Sequence, residues 1–155
     1  MKPLWPLLLA TFLLASCSKY SGDFQTAAKN FKPEAVPLTP AGPWKGTWKS
    51  EVNGHTGPLW CLVSQDKKDP TIWNFRYRAG WGILKFGDYN HPVKTKLTGN
   101  RKLPLQGEMT LPNNFGTYKV IGTLTPENFK VRYNGNGDKG TMTLTRPKAR
   151  KQAEN

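Results

Sequence analysis

The chain has few of the residues from which catalytic and metal centres are usually built. Its 155 residues include two cysteines, two histidines and ten acidic side chains, against 23 lysines and arginines. Zinc sites draw on closely spaced Cys, His or carboxylate ligands, and His55, His91 and Cys61 show no such spacing. There is no Gly-x-Ser-x-Gly elbow and no His-Glu-x-x-His pair, motifs that place a nucleophile or a metal for hydrolysis. A thiol site built on Cys61 and His55 would need an orienting acid, and no recognisable motif joins the three. The carboxylates are scattered, without a visible pair for glycoside hydrolysis. These absences point away from an enzyme: no catalytic residue, no metal and no cofactor is expected. A repeat of fixed period is also missing, which argues against a propeller or solenoid.

Positive charge is what the chain has in excess. The formal net charge is +13, which favours anionic partners such as phospholipid head groups, envelope glycolipids or nucleic acid. Part of it is local, with Arg146, Lys148, Arg150 and Lys151 in the C-terminal tail against Glu154 alone.

The one sustained apolar run, Leu4 to Ala15, follows Lys2. It is shorter than the roughly 20 residues of a membrane-spanning helix and fits the apolar region of a secretory signal. It ends in Leu14-Ala15-Ser16-Cys17, which resembles the lipobox of bacterial lipoproteins: a leucine, two small residues that admit a peptidase, and the cysteine that is acylated. The resemblance implies cleavage before Cys17, lipid on its thiol and a membrane anchor of two or three acyl chains, which hold far more firmly than one. Removing residues 1–16 takes away Lys2 and leaves a net charge of +12. Ser18, rather than aspartate, follows the cysteine, and this resembles outer-membrane routing, with the domain facing the periplasm. Cys61 is then left without an intramolecular partner. It sits in the apolar run Leu59–Val63 and is expected to be buried and inert.

Residues 17–43 read as the lipidated cysteine and a flexible, proline-rich tether, since Gly22, Pro33, Pro37, Pro40 and Pro43 interrupt long periodic structure. A short helical turn near Phe24–Phe31 is compatible with the pattern. From Trp44 to Arg146 the pattern has period two. Trp44, Gly46 and Trp48 share one face, as do Leu59, Cys61 and Val63, then Trp73, Phe75 and Tyr77. Ile83–Phe86 reads as a short strand and Val93–Leu97 as a weaker one; Gly107–Leu111, Tyr118–Leu124, Phe129–Tyr133 and Thr141–Thr145 follow. Short strands at such spacing predict an all-β domain, a small antiparallel up-and-down β-barrel of about eight strands. The stretch Asn134–Gly140 suits a hairpin turn with positive φ, and Pro126-Glu127-Asn128 links two further strands. Residues 147–155 form a basic tail.

The domain opens on Gly42-Pro43-Trp44-Lys45-Gly46-Thr47-Trp48 and closes on Gly140–Arg146. These two segments resemble the calycin superfamily of lipocalins, avidins and lipocalin-like protease inhibitors, in which a Gly-x-Trp of the first strand packs near an arginine of the last and seals one barrel end. The resemblance implies that Trp48 and Arg146 form this seal.

Five of the six tryptophans fall between Trp44 and Trp81. A small barrel either fills its interior with such side chains or leaves a mouth for one ligand. Trp73, Phe75, Tyr77 and Trp81 lie beside Arg76, Arg78 and Lys85, and these seven residues make the candidate ligand site. Strict alternation sets Arg76 and Arg78 on the face opposite the aromatics, so the two groups meet one ligand only at a strand end. Basic and aromatic residues together also suit single-stranded nucleic acid, but export argues against that partner. The expected function is a lipid-anchored binding or structural module for an anionic amphipathic envelope molecule. The alternative is an inhibitor or protein-partner module of the lipocalin-like kind.

Overall fold

The computed structural model describes residues 15–31, 39–99, 101–111 and 116–148. The signal segment up to Leu14, tether residues 32–38 and the tail from residue 149, with Arg150, Lys151 and Glu154, lie outside the described residues. A helix, α1 (Ala15–Asn30), precedes eight strands: β1 (Gly42–Ser50), β2 (Thr56–Gln65), β3 (Ile72–Trp81), β4 (Leu84–Lys94), β5 (Leu103–Leu111), β6 (Gly116–Leu124), β7 (Asn128–Gly135) and β8 (Asp138–Thr145). All neighbouring strands are antiparallel, and their order is β4-β3-β2-β1-β8-β7-β6-β5. This is an up-and-down meander curled into a barrel-like sheet, with the first and last strands paired at its centre.

Period-two patterning builds the core directly. Side chains on successive residues point to opposite faces of a strand, so Leu59, Cys61 and Val63 of β2 and Trp73, Phe75 and Tyr77 of β3 line the interior and are buried. Trp44 of β1, Val93 of β4, Leu103, Leu105 and Met109 of β5, Val120 and Leu124 of β6, Phe129, Val131 and Tyr133 of β7 and Met142 and Leu144 of β8 join them. Cys61 is fully buried and free, as expected, and burial pushes its thiol pKa up.

Two tight turns follow from local sequence. Gly135 pairs with Asp138 across Asn136 and Gly137, both at positive φ, the type I′ geometry that Asn-Gly favours. Trp81 pairs with Leu84 across Gly82 and Ile83, with positive φ at Gly82 only, the type II′ pattern.

Three sequence expectations need correction. The predicted strands Ile83–Phe86 and Val93–Leu97 are ends of one long strand, β4, irregular between Tyr77/Ala79 of its partner β3, where Gly87 adopts φ +92. That extra residue and Pro92 interrupt the alternation that sequence reading relies on. Among the described residues the barrel is also not closed by a ladder, because β4 and β5 are the two edges of the sheet. Each carries a proline, Pro92 and Pro104; proline lacks the N–H a ladder needs and is tolerated on edges. Side chains bridge this seam instead: Thr95 Oγ1 donates to the Pro104 carbonyl at 2.6 Å, and a Cβ on Gly107 would lie 3.2 Å from His91 Nε2.

The third correction concerns the tether. Residues 17–30 of it are helical. Tyr20, Phe24, Ala27 and Phe31 recur at helical spacing, and the Tyr20 and Phe24 rings stack with centroids 6.2 Å apart. Tyr20 is 2% exposed. Its hydroxyl donates to the Arg76 carbonyl at 3.2 Å, and the Arg76 and Arg78 guanidinium groups lie 5.1 and 5.9 Å from its ring centre. The helix thus packs on the outer face of β3. No helix among the described residues is long and apolar enough to cross a membrane.

Candidate functional site

The two ends of the barrel differ. At the end where β1 begins, Arg146 crosses the opening. Its guanidinium stacks on the Trp44 ring at 3.8 Å and faces Phe31 at 4.9 Å. It donates to the carbonyls of Pro126, Ala41 and Thr39 at 2.9, 2.8 and 3.2 Å. Burial pushes its pKa down to about 10, which leaves it charged at neutral pH. Trp44 donates its indole N–H to the Pro40 carbonyl at 2.9 Å and meets Phe129 edge-on. The seal therefore exists, but the residue beneath Arg146 is Trp44, not Trp48. Register decides this. Thr145, the last residue of β8, pairs with Lys45, so Arg146 just after it arrives beside Trp44, while Trp48 pairs with Met142 further along. Gly42-Pro43-Trp44 is a second Gly-x-Trp, four residues before the one chosen from sequence.

At the opposite end the barrel holds a cavity of about 300 Å³, lined by Trp48, His55, Leu59, Tyr77, Ala79, Trp81, Tyr89, Met109, Leu111, Tyr118, Tyr133, Asp138 and Met142. These are residues of the strand ends that converge there, with the turn residue His55 at the rim. Trp48 reaches across to donate to the Gly80 carbonyl at 2.9 Å. It passes over Gly57, where a Cβ would lie 2.7 Å from its indole nitrogen, so a side chain at 57 would displace this wall. The His55 and Trp81 rings meet at a tilt on the rim, with centroids 5.2 Å apart.

The polar groups of the cavity are few. Asp138 accepts from Ser50 Oγ at 2.6 Å, Tyr133 hydroxyl at 3.2 Å and the Lys139 amide at 2.8 Å. The Tyr77 hydroxyl is buried and has no hydrogen-bond partner among the described residues, although a buried hydroxyl ordinarily finds one. Burial raises the pKa of both phenols, so each remains a neutral donor. The cavity is thus an aromatic and thioether-lined space with a buried, unused donor, which suits an apolar guest bearing an acceptor.

The residues proposed from sequence do not form one site. Tyr77 and Trp81 line the cavity. Trp73 and Phe75 are buried in the core below it. Arg76 and Arg78 are on the outer wall, as alternation requires. Arg76 is held by Asp88 and by Asp23, the latter at 2.6 Å, and Arg78 by Ser21. Lys85 is also outside, 5.9 Å from the Trp60 ring. The arginines that were to receive an anionic head group instead fasten α1. Sequence reading missed Tyr89, Tyr118, Tyr133, Met109 and Met142. The available signal was their parity: each is an inward position near the same end of a neighbouring strand.

Among the described residues no group of His, Cys, Asp or Glu side chains is arranged to hold a metal ion. Compared with known protein families, curated proteins and solved structures, the chain matches none of them.

Proposed function

We propose that the chain is a lipid-anchored, periplasm-facing binding module that takes the apolar part of an amphipathic envelope molecule into its open barrel end. The observation that carries this reading is the aromatic cavity of about 300 Å³ with the unpartnered Tyr77 hydroxyl inside it. A filled core would leave neither. The Asp138 carboxylate disfavours an anion deep in the cavity, so an anionic head group stays at the rim, where Lys49, Lys85 and Lys139 are exposed. Lipid on Cys17 supplies the anchor.

The test is a titration of the unlipidated chain from residue 17 with a single-chain anionic amphiphile, followed by indole fluorescence. A saturable change is expected, and Tyr77→Phe should weaken binding by roughly 3–10-fold, the worth of one hydrogen bond. Absence of a saturable change with anionic, neutral and zwitterionic amphiphiles alike rejects the reading. Intact mass of the purified native chain checks the anchor: acyl mass is expected on wild type and none on Cys17→Ala.

A further inference from the structure

We infer that the β3–β4 hairpin tip docks onto the lipid bilayer, so that the open end of the barrel faces the membrane that carries the anchor. The inference rests in part on the lipid-anchor reading and extends it from attachment to orientation. The tip itself is apolar and exposed. Ile83 is 98% exposed, Leu84 59% and Trp81 48%. Single exposed apolar residues are common on protein surfaces, but here three crowd one type II′ turn. Position Ile83 in such a turn makes no structural demand for a β-branched apolar residue, and small polar residues serve hairpin turns well. Val52, 57% exposed, sits in the adjoining β1–β2 turn, which touches the tip through the His55–Trp81 ring contact.

The course of α1 brings the anchor to the same end. Ser21 meets Arg78, Asp23 meets Arg76, and Phe31 reaches Arg146 and Gly42 at the sealed end. The helix therefore runs antiparallel to β3, with its first turn toward the open end. Residue 17 precedes Ser21 by four residues, about 6 Å along the helix axis. Arg78 precedes Trp81 by three residues, about 10 Å along the strand. The backbone that carries the acyl chains and the apolar tip thus lie within a few ångströms of the same level. Lys19 and Lys85 are exposed beside them and Lys49 at the end of β1, a charge suited to anionic phospholipid. An apolar turn flanked by lysines is the composition that settles at a bilayer interface.

The test uses the full lipidated chain reconstituted in vesicles of phosphatidylethanolamine and phosphatidylglycerol. Ile83→Cys and, as the control at the sealed end, Lys67→Cys are labelled with an environment-sensitive thiol dye; both positions are exposed, so neither label threatens the fold, and Cys61 is buried. Spin-labelled lipid should quench the dye at 83 several-fold more than at 67. Equal quenching at both, or stronger quenching at 67, overturns the inference. The intact mass of the same preparation separates the two claims. If Cys17 carries no acyl chain, the anchor reading fails, and the chain labelled in a Cys17→Ser background, so that only position 83 or 67 takes the dye, still decides the tip when added to preformed vesicles: preferential quenching at 83 sustains it, and equal quenching or failure to bind the vesicles overturns it.

Discussion

Trp44 and Trp48 stand four residues apart on one face of β1, and each donates its indole N–H to a carbonyl at 2.9 Å. Their surroundings are opposite. Trp44 is fully buried between Phe129 and the Arg146 guanidinium, whereas Trp48 is half-buried on the wall of an unfilled cavity. The difference lies in what crosses each opening. The segment from Thr39 to Pro43 lies across the lower one and offers carbonyls that Arg146 gathers in. No comparable strap crosses the upper one among the described residues. One residue type on one strand therefore serves stability at one end and shape at the other.

Substitution should separate the two roles. Trp44→Ala is expected to cost about 3–5 kcal/mol, as for other buried large aromatics, read by urea unfolding. Arg146→Ala should cost about 2–3 kcal/mol, because it strips charged hydrogen bonds from carbonyls that are then left dry. A double-mutant cycle should show coupling between Trp44 and Arg146, since contacting residues are non-additive, and near-additivity between Trp48 and Arg146. Coupling of Arg146 to Trp48 instead would mean that the register assigned to β1 and β8 is wrong. Trp48→Ala should cost only about 1–2 kcal/mol, because less of its apolar surface is removed from water, yet it should alter amphiphile binding, which Trp44→Ala at permissive temperature should not.

The smallest effect concerns His91, at the seam between the edges. Burial holds its pKa below the ordinary 6.5, partly opposed by the Glu108 backbone. The unfolded chain therefore binds a proton that the folded chain resists. The stability His91 contributes is complete above about pH 6.5 and is lost as pH falls below it. A urea-midpoint profile from pH 8 to 5 should decline in this window, and His91→Gln should flatten that part of it.

The sequence disclosed this architecture unevenly, for physical reasons. Strand alternation is local, so Leu59-Cys61-Val63 and Phe129-Val131-Tyr133 announced buried faces on their own. The Asn136-Gly137 turn was equally plain, because positive φ selects its residues. Pairing between distant strands is not written locally, and this is why Trp48 was chosen over Trp44 for the contact with Arg146. The docking of α1 depends on Tyr20 meeting Arg76 and Arg78 across more than 50 residues; seen alone, its glycine and neighbouring prolines suggest only a linker. The cavity needed the meander to be curled before Tyr89, Tyr118 and Tyr133 shared a rim, and the same curling placed Arg76 and Arg78 outside it.

Among the described residues, the seam between β4 and β5 is where the barrel wall is joined without a ladder. A ring closed by hydrogen bonds has a circumference set by its strand number and shear, and widening it means breaking a ladder. This ring is slit along one side and held there by contacts such as Thr95 to Pro104 and His91 over Gly107. Parting the slit leaves all seven ladders whole. On the binding reading proposed above, a guest larger than the resting cavity would enter by the wall opening like a cuff, with the paired strands β1 and β8 as its spine.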